Sequence, residues 1–392
     1  MSENDEAIDR AVELHGEATR ALEDGRLQEA LRLAEEALGL FERESGSGHP
    51  DVANVLNCLA SIHEQRAEYP AAEARSRRAV EIMQSVRTQS SGADIERLYV
   101  QSLLGLGNIT RILGRYDEAE PWLREALACA EAALGEDDED VVSALNALGV
   151  LCKYNGRFDD AAAFYDRAIR IAERIGGPAQ GSLATLLHNL GGLDHARGEF
   201  ARGEPAARRS VELREKALGP DHPTVAADVA ALAAIIDACG RHDEAEGMYR
   251  RALDIFERAY GPAHYEIAVN LNNLAGVRQS QGRLAEAEAD YRRALSIKES
   301  LLGADHPDVA MTLNNLALLL ADQGRHREAE PLYQRALTIF ESKLAPDHLK
   351  IRACVENYAG LLRDMGKGAA ARTLEGRFSH GRPRNHEDAK KT

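Results

Sequence analysis

Residues 308–340 read DVAMTLNNLALLLADQGRHREAEPLYQRALTIF, and the spacing of apolar residues in this stretch decides the fold. Its first half, from Met311 to Leu320, has the apolar pattern of a helix and stops before Gly324, because glycine accepts the left-handed backbone that ends a helix. The second half repeats apolar residues at three- and four-residue spacing, at Ala329, Leu332, Tyr333, Ala336, Leu337 and Phe340. The stretch therefore predicts two helices that form a hairpin.

The hairpin recurs along the chain with a period of 42 residues. Gly25 and Ala67 hold the turn position in the first two units, and the 47-residue step from Ala67 to Gly114 contains about five inserted residues, in the stretch 85–92. Because one hairpin cannot bury its apolar face alone, neighbouring units must stack. The later turn glycines, each 42 residues after the last, are Gly114, Gly156, Gly198, Gly240, Gly282, Gly324 and Gly366.

Nine such units are predicted, and we expect residues 1–376 to form a single repeat domain. The remaining segment, 377–392, has five basic and two acidic side chains, and we expect it to be a disordered basic tail. The predicted units lie near 5–48, 51–90, 95–137, 140–177, 180–222, 224–264, 266–306, 308–348 and 349–376.

Prolines and histidines recur at fixed places in the hairpins. Pro121, Pro205 and Pro331 are predicted near the start of second helices, where the first N–H groups lack an intrahelical partner and a proline costs little. Histidines spaced by one repeat lie on successive loops and not around one point, so they predict turns and no metal site. These histidines are His222, His264, His306 and His348.

The positions quoted above carry a family resemblance. The 42-residue period and the string Leu-Asn-Asn-Leu-Ala, at 271–275 and 313–317, resemble the kinesin-light-chain type of tetratricopeptide repeat. The resemblance covers roughly residues 5 to 375 and implies an all-α fold, a right-handed α-solenoid of about nine helix-turn-helix repeats. It also implies that the first helix of each hairpin lines a concave face. The consensus spacing is seen in Leu316-Ala317, Gly324, Ala329, Tyr333 and Ala336, and in Leu274-Ala275, Gly282, Ala287, Tyr291 and Ala294.

Composition and charge exclude several classes of protein. The chain is 44% apolar and 29% charged, which suits a packed helical core, and it has no run of about 18 apolar residues that would span a membrane. Its net charge of -16 opposes contact with phosphate backbones, so nucleic acid is not an expected partner. No secretory signal is visible, and five scattered cysteines fit reduced thiols, so we expect a cytoplasmic location.

The candidate binding residues lie on the first helices, mainly at the two positions before each Leu-Ala pair. Asparagine is several tenths of a kcal/mol worse than alanine inside a helix, yet it recurs there. An amide both donates and accepts, so these side chains can bond the backbone of an extended peptide. They can equally form hydrogen bonds with one another from helix to helix and brace the stacked repeats. Both interpretations, ligand binding and bracing, stay open. The residues are Asn57, Asn146, His188, Asn189, Asn272, Asn273, Asn314, Asn315 and Asn357.

Charged residues at further inward positions predict a groove that is mildly basic early and acidic late. Arg66 and Lys153 are the main early cations, and a ligand with opposite charges at its two ends would match them. The alternative is that all of these positions are ordinary solvated ones. The late acidic residues are Asp237, Asp322, Glu356 and Asp364.

The predicted function is that of a non-catalytic scaffold or adaptor, which binds a peptide or protein segment in the concave groove. Such a chain can be the regulatory subunit of a separately encoded effector. The alternative is a peptide-responsive sensor whose solenoid changes shape when ligand binds. We expect no enzyme activity, no cofactor and no metal, because the sequence lacks the nucleophile, metal-binding and phosphate-binding motifs. The oligomeric state is left open.

Overall fold

The structure is a computed structural model that describes residues 3–344 and 348–378. Every regular element in these residues is helical, with eighteen α-helices and a 3-10 turn at Gly177–Ala179, so the all-α prediction is confirmed. The chain consists of two compact units, Met1–Leu213 (unit 1) and Arg214–Thr392 (unit 2). None of the described helices combines the length and apolar character needed to cross a membrane.

Odd-numbered helices are the first helices of the hairpins, and even-numbered helices are the second. Unit 1 holds α1 (Glu3–Glu23), α2 (Leu27–Glu44), α3 (Pro50–Gln65), α4 (Tyr69–Arg87), α5 (Ala93–Ile112), α6 (Tyr116–Leu134), α7 (Glu139–Tyr154), α8 (Phe158–Ile175), α9 (Gln180–Ala196) and the start of α10 (Phe200–Leu218). Unit 2 holds the end of α10 and α11 (Pro223–Ala238), α12 (His242–Tyr260), α13 (Tyr265–Ser280), α14 (Leu284–Leu302), α15 (Pro307–Asp322), α16 (His326–Lys343), α17 (Leu349–Asp364) and α18 (Gly368–Phe378).

The turn inside each hairpin depends on a residue in the left-handed region. Gly324 has φ 74°, and the next residue, Arg325, donates its N–H to Leu320 O at 2.9 Å. This closes the end of α15 and starts α16 directly afterwards. Ala67 stands at the same place between α3 and α4 with φ 57°, a conformation that strains a residue with a Cβ atom.

The recurring histidines cap the first helices. In each case the histidine Nδ1 accepts a hydrogen bond from the backbone N–H two residues later, at 3.1–3.3 Å. This satisfies one of the N–H groups that lack an intrahelical partner at a helix start. The predicted turn histidines therefore act as N-caps. They are His222, His264, His306 and His348, and His49 does the same for α3.

The core of each unit is built from alanine, leucine and tyrosine on facing helices. In unit 1 the Tyr165 ring of α8 is fully buried against Gly149 of α7. In unit 2, Tyr291 and Tyr333 hold the equivalent place on α14 and α16, and the position facing each is an alanine, Ala275 or Ala317. Close packing of small first-helix residues against these rings therefore joins the two helices of a hairpin.

Two predictions of detail were wrong. Pro121, Pro205 and Pro331 each lie at the sixth residue of a helix and not in its first turn, because the helices begin directly after the hairpin turn. Each proline therefore removes one intrahelical hydrogen bond. The tail prediction also begins too early, since α18 continues to Phe378 and Arg377 pairs with Glu341 at 2.6 Å. The rest of that predicted tail, 379–392, lies outside the described residues.

The insertion between the second and third repeats has a simple structural form. Helix α5 has 20 residues where α3 and α7 have 16, so four residues extend the helix by about one turn. The connector before α5 is one residue longer than the connector before α7. The insertion thus leaves the packing of the hairpin intact.

Candidate functional site

The first helices contact one another directly within each unit. In unit 1, contacts run from α1 to α3, α5, α7 and α9 in turn, and in unit 2, α11 contacts α13 and α15 contacts α17. Equivalent positions of neighbouring repeats therefore lie side by side on one surface, which we call the first-helix face of each unit. All nine predicted Asn and His side chains are half-buried on these faces.

In unit 1 the amides bond from one first helix to the next. Asn57 Nδ2 donates to Ser102 Oγ at 2.9 Å, and the Ser102 hydroxyl donates in turn to Leu98 O. Asn189 Nδ2 donates to Asn146 Oδ1 at 2.8 Å. These bonds join α3 to α5 and α7 to α9, so they brace the stack of helices.

In unit 2 four amides form one connected ladder across α13, α15 and α17. Asn357 Nδ2 donates to Asn314 Oδ1 at 3.3 Å, and Asn314 Nδ2 donates to Asn315 Oδ1 at 3.4 Å. Asn315 Nδ2 then donates to Asn272 Oδ1 at 3.3 Å. Asn273, within the described residues, makes no side-chain hydrogen bond. Because these bonds are long and use one N–H of each donor, the ladder keeps capacity for a ligand.

Arg66 is held by its neighbours and is not an unpaired cation. Its Nε donates to Glu68 Oε1 at 2.9 Å, and its Nη1 donates to Gln28 Oε1 at 2.8 Å. Arg66 directly follows the last residue of α3, so its side chain reaches the turn and the second helix α2. The structure therefore does not bring Arg66 into one group with Lys153.

Lys153, in contrast, has no ion pair within the described residues. It is half-buried on α7, and burial lowers the pKa of its ammonium group. Its Nζ lies over the backbone of α9, since a Cβ atom placed on Gly192 would be 2.9 Å from it. His195 stands next to this charge, and burial first and the Lys153 charge second lower the pKa of its imidazole. The ammonium is thus partly removed from water without a counter-charge.

Three residues in the same repeat register as Lys153 were missed by the sequence analysis. Glu64 on α3, Arg111 on α5 and His195 on α9 all lie five residues after the leucine at the pair position, as Lys153 does on α7. The guanidinium of Arg111 lies 5.4 Å from the ring centroid of exposed Tyr154 and forms no ion pair with any described residue. The repeat register alone is the signal that would have found this charged row.

The late acidic positions are partly compensated. Asp237 Oδ1 lies 2.7 Å from His242 Nδ1, and Asp322 accepts a hydrogen bond from Gln279 at 3.0 Å. Glu356 is exposed. In the part of the chain that the structure covers, no three His, Cys, Asp or Glu side chains are grouped to hold a metal ion.

Comparison with known families identifies the repeat. The model of the tetratricopeptide repeat matches residues 9–85, 98–174, 224–300 and 266–342, and a second model of the same repeat matches 183–224. No curated protein sequence matches the chain.

Several solved structures are similar to this chain at low sequence identity. The apo form of the quorum sensor NprR from B. thuringiensis is 12% identical, with a TM-score of 0.60 over 93% of this chain and 96% of that one. A Rap protein complexed with competence and sporulation factor is 14% identical, with a TM-score of 0.55 over 84% and 97%. A putative kinesin light chain from Podosopora anserina, with nearly identical repeats, is 21% identical, with a TM-score of 0.44 over 51% and 94%.

Proposed function

Because the chain belongs to the tetratricopeptide repeat family, we propose that it binds a segment of another protein along its first-helix faces. The segment lies extended, and its backbone bonds to amides while its side chains enter pockets. The chain then acts as a non-catalytic scaffold or adaptor, and its output is exerted by a separately encoded effector of which it is the regulatory subunit.

The observation that carries this proposal is the unpaired charge on the first-helix face of unit 1. Most half-buried arginines elsewhere in unit 1 are held by carboxylates, as Arg157 is by Glu120 at 2.7 Å, and among the described residues Arg75 of the second helix α4 is an exception. Arg111 and Lys153 are half-buried without such a partner among the described residues. Because a charge removed from water costs free energy until it is paired, this surface favours a ligand that supplies a carboxylate.

The amides are proposed to contribute in a second way. Those that brace neighbouring helices keep one N–H and one lone pair for a ligand, and Asn273 keeps its whole amide. Backbone bonding by amides is independent of the ligand sequence, whereas the charged row is selective. Amides would therefore contribute affinity in each unit, and the charged row would contribute selectivity in unit 1.

Selection from random dodecapeptides displayed on phage, with the full chain as bait, tests the proposal. A selected peptide is then titrated by fluorescence anisotropy. We expect wild type to enrich peptides that contain an acidic residue, and Arg111→Gln/Lys153→Gln to bind the selected peptide about tenfold more weakly or worse, since a hydrogen bond to a charged group contributes roughly 1.5–3 kcal/mol.

The matched control is Arg43→Gln/Arg170→Gln, which removes the same charge from exposed positions of the second helices α2 and α8. Equal loss of affinity in both variants would mean that only net charge matters. Failure of wild type to enrich any peptide would end the proposal. Changing Asn272, Asn273, Asn314 and Asn315 together to Ala separates the two amide roles, because lost affinity at an unchanged melting curve indicates contact with ligand.

A second candidate function is a sensor that changes shape on binding peptide. The amide ladder of unit 2 favours it, because its two 3.3 Å bonds between helices and its 3.4 Å bond within α15 are easily exchanged for bonds to a ligand. Small-angle scattering with and without a selected peptide distinguishes the two functions. A changed radius of gyration supports the sensor, and an unchanged profile supports the adaptor.

A further inference from the structure

A cavity of about 420 Å³ opens on the first-helix face of unit 1, among α1, α3, α4 and α5. This volume falls in the range of sites that hold small groups. Leu22, Ala60 and Ile109 contribute an apolar wall, and hydroxyl and amide groups contribute much of the polar lining. Of its fourteen lining residues, only Glu64 carries a full charge at neutral pH, because burial lowers the pKa of His15 and keeps that imidazole neutral.

Glu64 lacks a counter-ion in direct contact. Within the described residues it forms no ion pair and no side-chain hydrogen bond. Burial raises the pKa of its carboxyl group, and the charge of Arg111 acts in the opposite direction. Arg111 does not line the cavity, and its guanidinium lies beside the Tyr154 ring of α7. Arg111 therefore favours the ionised form of Glu64 without occupying the carboxylate oxygens.

The wall of the cavity carries a further unmet acceptor. The Ser102 hydroxyl donates to Leu98 O, so its oxygen accepts from Asn57 Nδ2 and fixes the orientation of that amide. Asn57 Oδ1 is left buried without a hydrogen-bond partner. An unpaired carbonyl oxygen adds negative potential in a region of low dielectric, so it acts together with Glu64.

We propose that this cavity is the pocket for one lysine or arginine side chain of the bound segment, with its cationic end at Glu64 and its aliphatic stem along Leu22, Ala60 and Ile109. The inference rests on the proposed function, because the basic side chain belongs to the segment that the first-helix faces hold. An anionic side chain is excluded by Glu64, and a metal ion would find a single carboxylate there.

The pocket also gives the bound segment a direction. A basic residue lies over the first three repeats and an acidic one over Arg111 and Lys153 further along the chain. The sequence-based hypothesis predicted a groove that is basic early and acidic late, and hence a ligand whose acidic end binds first along the chain. The pocket at Glu64 reverses that order.

The experiment uses the full chain and the phage-displayed random dodecapeptides described above. A peptide selected by wild type is synthesised with an acetylated N-terminus, so that no terminal ammonium competes. Three versions of this peptide are made, which carry lysine, arginine or the uncharged residue norleucine at the position where the selection enriched a basic residue. Each peptide is titrated by fluorescence anisotropy against wild type, Glu64→Gln and the matched control Glu35→Gln, which neutralises an exposed carboxylate on α2.

We expect wild type and Glu35→Gln to lose about tenfold to hundredfold in affinity when norleucine replaces the basic residue, whereas Glu64→Gln shows little difference between the peptides. Ser61→Phe, at an exposed residue of the cavity wall, should remove the preference while circular dichroism stays unchanged.

The outcomes separate the two proposals. If wild type selects peptides without a basic preference, or if Glu64→Gln keeps the full preference, the pocket is refuted while the proposed function stands. If wild type selects no peptide, both fall together.

Discussion

Substituting Gly149 by alanine tests how the hairpins are packed. Gly149 lies in the interior of α7, where helix propensity alone favours alanine by about 1 kcal/mol. A Cβ atom there would lie 2.5 Å from Tyr165 Cε1, 2.8 Å from Cδ1 and 2.9 Å from Cζ. The Tyr165 ring is fully buried on α8, and the added Cβ atom would contact three adjacent atoms along one edge of it. Packing therefore opposes propensity at this position.

The magnitude follows from the distances. Ordinary contact begins near 3.4 Å, so α7 and the ring must separate by about 0.9 Å or the ring must leave its rotamer. Overpacking of this kind costs roughly 1–3 kcal/mol, which exceeds the gain in propensity. After subtraction of that gain, we expect Gly149→Ala to lower the free energy of unfolding by up to about 2 kcal/mol.

Urea unfolding of the full chain, followed by circular dichroism, measures the effect. Gly276→Ala on α13 is the matched control, because its Cβ atom would meet only Tyr291 OH at 3.7 Å and should stabilise the protein. Opposite shifts of the two midpoints support the packing argument. If Gly149→Ala stabilises the protein as much as Gly276→Ala does, the reasoning is wrong.

Substitutions at three other positions have defined outcomes in the same urea assay. His306→Ala removes the cap that accepts from Asp308 N–H and should cost roughly 1 kcal/mol, whereas His306→Asn should keep most of it; equal losses would contradict the capping role. Ala67→Gly relieves a left-handed alanine and should stabilise by roughly 1 kcal/mol, and no gain would mean that the turn is unstrained. Burial lowers the pKa of the Lys298 ammonium, which donates to Thr312, so the folded state binds this proton less tightly than the unfolded chain. The free energy of unfolding of wild type should therefore rise as the pH approaches the usual lysine pKa, and Lys298→Met should lack that rise. At pH 7 we expect Lys298→Met to be more stable than wild type by roughly 1 kcal/mol. Parallel pH profiles of the two proteins would refute this explanation.

The sequence by itself determined the helices, the hairpins and the family. Apolar residues at helical spacing and a turn glycine every 42 residues depend only on local geometry, so they can be recognised from the sequence without knowledge of the tertiary structure. The size of the insertion before Gly114 could also be counted, but its place could not, because the sequence put it in 85–92 and four of its residues extend α5 from Ala93. The second-turn prolines were misplaced because a sequence pattern does not show how closely a helix follows its turn.

Only the tertiary structure decided what each polar side chain contacts. The bonded amides, such as Asn189 with Asn146 and Asn315 with Asn272, are 43 residues apart, so they join two different columns of a 42-residue repeat. Similarly, Arg66 is paired with Glu68 of the hairpin turn, whereas among the described residues Lys153 has no ion pair and Glu64 lines a cavity without one. The physical reason is that hydrogen bonds and ion pairs act over about 3 Å. One residue of offset between packed helices, which no periodicity records, therefore selects the partners.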